Sequence, residues 1–90
     1  MDDPIVIRQA THSDICTIVG FNIAMASETE DKTLDVVTLK RGVSEVLHDP
    51  LKGFYLIADV SETAVGQLLI TAEWSDWRNA YFWWIQSVYV

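Results

Sequence analysis

Apolar and polar positions change their period once along this chain. Ile5, Val6 and Ile7 make a short apolar strand ahead of Arg8. Apolar side chains then recur at helical spacing through Ile15, Ile18, Val19 and Ala26, with Asn22 on the same stripe and Phe21 and Met25 beside it. Thr11-His12-Ser13-Asp14 fits a capping box with a short acidic residue in its fourth position, so a helix is expected to begin there. The charged stretch Glu28 to Lys32 is expected to end it, leaving Glu28, Glu30 and Asp31 just beyond. A second helix is predicted from about Asp35 to His48, because Val36, Leu39, Val43, Val46 and Leu47 share a face. Gly42 weakens it by up to ~1 kcal/mol relative to alanine. Pro50 stops it, since the residue before a proline resists the helical region.

Beyond Pro50 the period is two. Phe54 to Val60 reads as a strand after the turn Pro50-Leu51-Lys52-Gly53, Ala64 to Trp74 as a second, and Tyr81 to Val90 as a third. The predicted order is β-α-α-β-β-β, an α+β fold with an antiparallel sheet and both helices on one face. Strict alternation in the last strand sets Tyr81, Trp83, Ile85 and Tyr89 against Phe82, Trp84, Val88 and Val90. Both rows are apolar, and a strand with one wet face should not read that way. The helices can cover one side only. The pattern also breaks off in mid-strand at Val90. The expectation is a single, partial domain over residues 1–90.

Ninety residues suffice for one small core. Half the chain is hydrophobic and only 21% is charged, which excludes disorder. A single cysteine, Cys16, rules out an intrachain disulfide scaffold. The start, Met1-Asp2-Asp3-Pro4, lacks the basic segment of a signal peptide, and no apolar run approaches the ~18 residues of a membrane span. A cytoplasmic protein without a membrane partner is therefore expected. A net charge of −7 argues against nucleic acid, which demands clustered Lys and Arg.

Catalytic signatures are sparse. His12 and His48 both sit at predicted helix ends, where a histidine is an ordinary structural residue, and no metal-ligand spacing occurs. The glycines are isolated, so no phosphate loop is present. Cys16 fits a small buried hydrophobe. Two features stand out. Glu28, Glu30 and Asp31 oppose the dipole of the first helix, so they are either a solvated loop or a cation site. Trp74, Trp77, Trp83 and Trp84 crowd into eleven residues, with Tyr81 and Phe82 among them. Cross-strand aromatic pairing explains that density, and so does a ligand groove or partner surface.

Ile7-Arg8-Gln9-Ala10-Thr11 with Asp14, and Gly53-Phe54-Tyr55-Leu56-Ile57-Ala58 followed by Val65-Gly66-Gln67, resemble the GNAT superfamily of N-acetyltransferases. So do Asn22 to Glu30, Glu73 to Asn79 and, most specifically, Phe82-Trp83-Trp84-Ile85-Gln86-Ser87-Val88-Tyr89-Val90. The resemblance covers the whole chain but only the first part of that fold. It implies acetyl-CoA as co-substrate, with the backbone of Val88, Tyr89 and Val90 pairing with its pantetheine arm. It also implies an amine acceptor held by Asn22, Glu28, Glu30, Trp74 and Trp77, and no metal. A backbone N–H near Val88 would be the oxyanion donor. Some members place a glutamate base four residues before the triplet. Trp84 stands there, so the catalytic acid and base are left unassigned.

Two functions follow. One is the N-terminal part of an acetyl-CoA-dependent N-acetyltransferase, inactive by itself because a basic, glycine-rich pyrophosphate loop would come after Val90. The other is a non-catalytic dimerisation or interaction module built from the same half-fold. In either case the uncovered sheet face predicts a homodimer or higher oligomer.

Overall fold

The structure, a computed structural model, describes residues 3–90, so the acidic start at Met1 and Asp2 lies outside the described residues. The elements are β1 (Ile5–Gln9), a 3-10 turn (His12–Asp14), α1 (Ile15–Glu30), α2 (Val36–His48), β2 (Phe54–Val60), β3 (Thr63–Ser75) and β4 (Ala80–Tyr89). The strands form one antiparallel sheet in the order β1-β2-β3-β4, with β1 and β4 at its edges. This is the α+β arrangement the pattern predicts.

Both ends of α1 differ from expectation. The first turn after Thr11 is 3-10, and the expected capping box is present there, the Thr11 N–H donating to Asp14 Oδ2 at 2.8 Å and the Thr11 side chain facing the Asp14 N–H. At the other end the helix runs through the charged residues to Glu30, so Glu28 and Glu30 occupy its last turn. Charge does not terminate it. Asp31 does, by entering the left-handed region at φ 51°, where the chain reverses towards α2. Asp35 caps α2, its carboxylate accepting from the Val37 N–H at 3.2 Å and from Thr38 Oγ1 at 2.7 Å.

The core lies between the helices and one face of the sheet. Ile18 and Val19 of α1, Val43 of α2, and Tyr55 and Ile57 of β2 are buried together, with Leu39, Val46 and Leu69 packed around them. Ile18 and Ile57 are wholly enclosed, each worth roughly 1.5–3 kcal/mol of transfer free energy. An ion cluster closes the β1 end. Arg8 donates from Nη1 and Nη2 to the two Asp14 oxygens, both at 2.8 Å, and from Nε to Asp59 Oδ2 at 2.6 Å. One guanidinium thus ties β1, the 3-10 turn and β2 together. Gly53 precedes β2 with φ 139°, and a Cβ there would collide with the Ile70 carbonyl oxygen, so no other residue fits without strain.

Strict alternation fails in β4. Leu69 pairs with Ser87 but Ile70 pairs with Ile85, which leaves Gln86 as the extra residue of a β-bulge. The bulge exchanges the two rows. Tyr81, Trp83 and Ile85 join Val88 and Val90 on the face away from the helices, while Phe82 and Trp84 share the helix side with Ser87 and Tyr89. Ring contacts match this parity, with Trp83 edge-on to Phe54 at 5.6 Å and Phe21 of α1 against Tyr89 at 5.4 Å.

No described residue covers the face away from the helices. Ile5 and Ile7 of β1, Leu56 of β2, Leu68 of β3 and the β4 row form it, and the register assigns no charged side chain to it. Ile7, Trp83, Ile85 and Val88 are each more than half exposed.

Candidate functional site

A groove of about 370 Å3 opens where the second half of α1 passes β4. Asn22, Met25, Ala26, Thr29 and Glu30 form one wall, Leu34 of the α1–α2 connection closes an end, and Gln86 and Ser87 form the other wall. The bulge places these last two, since without the extra residue they would not both line it. Gln86 is held by donating from Nε2 to Thr71 Oγ1 at 2.7 Å.

Asn22 is 8% exposed and stands on a helix face that is otherwise apolar, where an unpaired amide would be costly. Its partners lie beneath it. Gln67 Nε2 donates to Asn22 Oδ1 at 3.2 Å, and Asn22 Nδ2 donates to the Tyr55 hydroxyl at 3.4 Å. Burial pushes the Tyr55 hydroxyl up from its ordinary pKa, with the Asn22 hydrogen bond acting against it. Gln67 Oε1 is buried with no protein partner. A buried polar chain therefore runs from β2 and β3 to the floor of the groove.

Of the acceptor residues suggested by the sequence, Asn22 and Glu30 line this groove. Glu30 also pairs with Lys32 at 3.3 Å, both side chains well exposed. Glu28 lies in the same helical turn but reaches β4, where its Oε1 accepts from the Tyr89 hydroxyl at 3.2 Å. Desolvation, then the hydrogen bond to Glu28 and its charge, raise the Tyr89 pKa. The structure does not bring Trp74 or Trp77 to the groove. Trp74 packs edge-on against Tyr81 at 5.1 Å on the uncovered face, and Trp77 is 94% exposed at the β3–β4 turn. Sequence reasoning missed Gln86, Ser87, Thr29 and Leu34 as lining residues, and Tyr55 and Gln67 as supports. A signal existed for one, because Gln67 is a polar residue on an apolar strand.

Val88, Tyr89 and Val90 follow the bulge directly. β4 is the edge strand, so its outward backbone groups have no partner strand among the described residues. Such an edge suits the amides of a pantetheine arm, which would pair with it as an added strand does. The hollow beside it, on the uncovered face, is lined by apolar residues such as Leu56, Leu68, Val88 and Val90, and no cation lines it. The described residues thus fit the arm and supply no anchor for its phosphates there. His12 and His48 face each other at 6.4 Å between ring centroids, far from the groove in sequence and placed by helix ends, and Cys16 is exposed rather than buried. Among the described residues no group of three or more His, Cys, Asp or Glu could hold a metal ion, and no helix is long and apolar enough to cross a membrane.

No protein-family model matches the chain, and no curated protein sequence matches it. Solved structures do. A possible acetyltransferase from Clostridium difficile 630 is 50% identical over 96% of this chain and superposes with a TM-score of 0.92. A GNAT family acetyltransferase from Staphylococcus aureus subsp. aureus USA300_TCH1516 superposes over the whole chain with a TM-score of 0.71 at 14% identity. The chain thus shares half of its aligned residues with a possible acetyltransferase and the fold of a GNAT family acetyltransferase. An integron cassette protein from the mobile metagenome of Cole Harbour Salt Marsh shares the GNAT-like fold, with a TM-score of 0.87 at 18% identity. The chain spans 57% of the Clostridium protein, 63% of the Staphylococcus protein and 55% of the cassette protein. The chain therefore corresponds to little more than half of each of these structures.

Proposed function

We propose that these residues form the N-terminal part of an acetyl-CoA-dependent N-acetyltransferase, acting on a small-molecule or peptide amine in the reducing cytoplasm. The observation that carries this reading is the meeting of two features at one bulge. Gln86 and Ser87 wall a polar-floored groove, and the unpaired edge of Val88, Tyr89 and Val90 continues directly from them. An acyl thioester along the edge would present its carbonyl to an amine in the groove. The amine nitrogen attacks that carbonyl, the C–S bond breaks, the thiolate departs with CoA, and the nitrogen loses a proton. A backbone N–H near Val88 stabilises the oxyanion in between. Glu28 and Glu30 favour a cationic acceptor as it approaches, and the amine must shed its proton before it can attack. Acetyl-CoA brings its own acyl group and leaving group. This chain contributes the binding edge, the groove and the local charge, and the ninety residues alone do not turn over.

The test is a chimera in which these ninety residues replace the matching part of the Clostridium difficile protein. Acetyl transfer to a panel of primary amines is expected. Changing Glu28→Gln and Glu30→Gln together should raise the acceptor KM about tenfold while the acetyl-CoA KM moves less than twofold. A folded chimera that acetylates none of the amines, or an equal loss for both substrates, overturns the assignment of the groove.

A further inference from the structure

Gln67 is costly where it stands. It is 5% exposed on β3, across from the wholly enclosed Ile57 of β2, and its Oε1 has no protein partner. An unpaired buried carbonyl gives up its hydration without a return, so a leucine or methionine would serve the core better. What Gln67 does is donate from Nε2 to Asn22 Oδ1, while Asn22 donates from Nδ2 to the Tyr55 hydroxyl. Those two bonds fix which way the Asn22 amide is turned on the groove wall. Resting on the reading of that groove as the acceptor site, we infer that Gln67 and Tyr55 are positioning residues for Asn22, and that Asn22 selects an acceptor bearing a hydroxyl as well as its amine, a small amino alcohol.

The class follows from what the Asn22 amide has left. A carboxamide carries two N–H donors and two oxygen lone pairs. One N–H is spent on Tyr55 and one lone pair on Gln67, so one of each remains without a protein partner among the described residues. Asn22 is 8% exposed and lines the groove, so a group bound there meets both in a nearly dry setting. A hydroxyl donates and accepts, and answers both. An ammonium only donates and a carboxylate only accepts, so each leaves one Asn22 group unpaired, and a methyl group leaves two. On the opposite wall Gln86 has committed Nε2 to Thr71, leaving its Oε1 for another donor such as an amine N–H. The amine end therefore belongs beside β4, where Ser87 leads into the Val88 edge, and the hydroxyl end belongs at α1. A volume of about 370 Å3 is at the low end of ligand clefts, which suits a small molecule rather than a peptide.

The chimera carrying these ninety residues is assayed with a short series of linear amino alcohols. Each is set against the alkylamine and the diamine that carry a methyl or an ammonium in place of the hydroxyl. At the best length the amino alcohol should show a kcat/KM about tenfold or more above either analogue. Gln67→Met keeps the side-chain length and removes both polar atoms. It should raise the amino alcohol KM about tenfold, leave kcat and the alkylamine KM within about twofold, and leave the urea midpoint unchanged or higher. Tyr55→Phe should raise the same KM about threefold. A Gln67→Met chimera that is destabilised and loses both substrates alike shows a structural role and overturns the assignment of Gln67. Where a variant fails to fold, the preference of the unaltered chimera still decides. An active chimera that treats the three series alike, or prefers the alkylamine or the diamine, overturns the inference and leaves acetyl transfer standing. A folded chimera that acetylates no amine overturns the reading of the groove, and this inference with it.

Discussion

Removing one charge from the Arg8 cluster tests how the first strand and first helix are joined. Asp14 is 7% exposed, and its carboxylate accepts two hydrogen bonds from Arg8 and one from the Thr11 N–H. The Arg8 hydrogen bonds hold its pKa at about 2 against an ordinary 3.8, despite burial, which pushes the other way. At about 1.4 kcal/mol per unit, that difference is worth about 2 kcal/mol of stability at neutral pH. The folded-state pKa is depressed, so the contribution is complete above about pH 4–5 and fades as pH falls towards 2. Asp14→Asn should therefore lower the urea-derived unfolding free energy by about 2 kcal/mol at pH 7 and by less than ~1 kcal/mol at pH 2.5. Both measurements are made at one fixed protein concentration, since any association would shift the apparent stability. Arg8 keeps its 2.6 Å bond to Asp59 in the variant, so complete unfolding is not expected. A loss of equal size at both pH values would show that Asp14 acts through packing or capping rather than through its charge. A loss under ~0.5 kcal/mol at pH 7 would refute the cluster as a lock.

Three further expectations follow from particular contacts. Ile57→Ala removes a wholly enclosed side chain at the centre of the core and should destabilise by about 3–4 kcal/mol in the same urea assay. Gly53→Ala forces a methyl group against the Ile70 carbonyl at φ 139° and should cost at least ~2 kcal/mol, read as a lower melting temperature. The ninety residues alone should bind acetyl-CoA weakly, because an apolar hollow in a chain of net charge −7 offers the phosphates no anchor, and a low-micromolar Kd by calorimetry at low salt would contradict this.

Local periodicity determined most of the fold. Helical spacing from Ile15 to Ala26 and from Val36 to Leu47, then period two from Phe54 onwards, specified the elements and their order within a few residues. Connection lengths then left an antiparallel meander as the simple solution. The apolar character of both sides of β4 was legible as well, because its two alternating rows are apolar in the sequence itself. Tertiary structure decided what periodicity cannot carry. A bulge adds one residue without altering composition, so nothing in the row Tyr81 to Val90 announces that Ile85 and Val88 share a face. Where α1 stops depended on Asp31 adopting a left-handed conformation, not on the charges that precede it. The groove needed both facts, since Glu30 reaches it from the last helical turn and Ser87 from the bulge. Trp74 and Trp77 show the converse. They lie close to the other tryptophans in sequence, but a hairpin spreads its residues along two strands and over two faces, so proximity in the chain did not become proximity at the site.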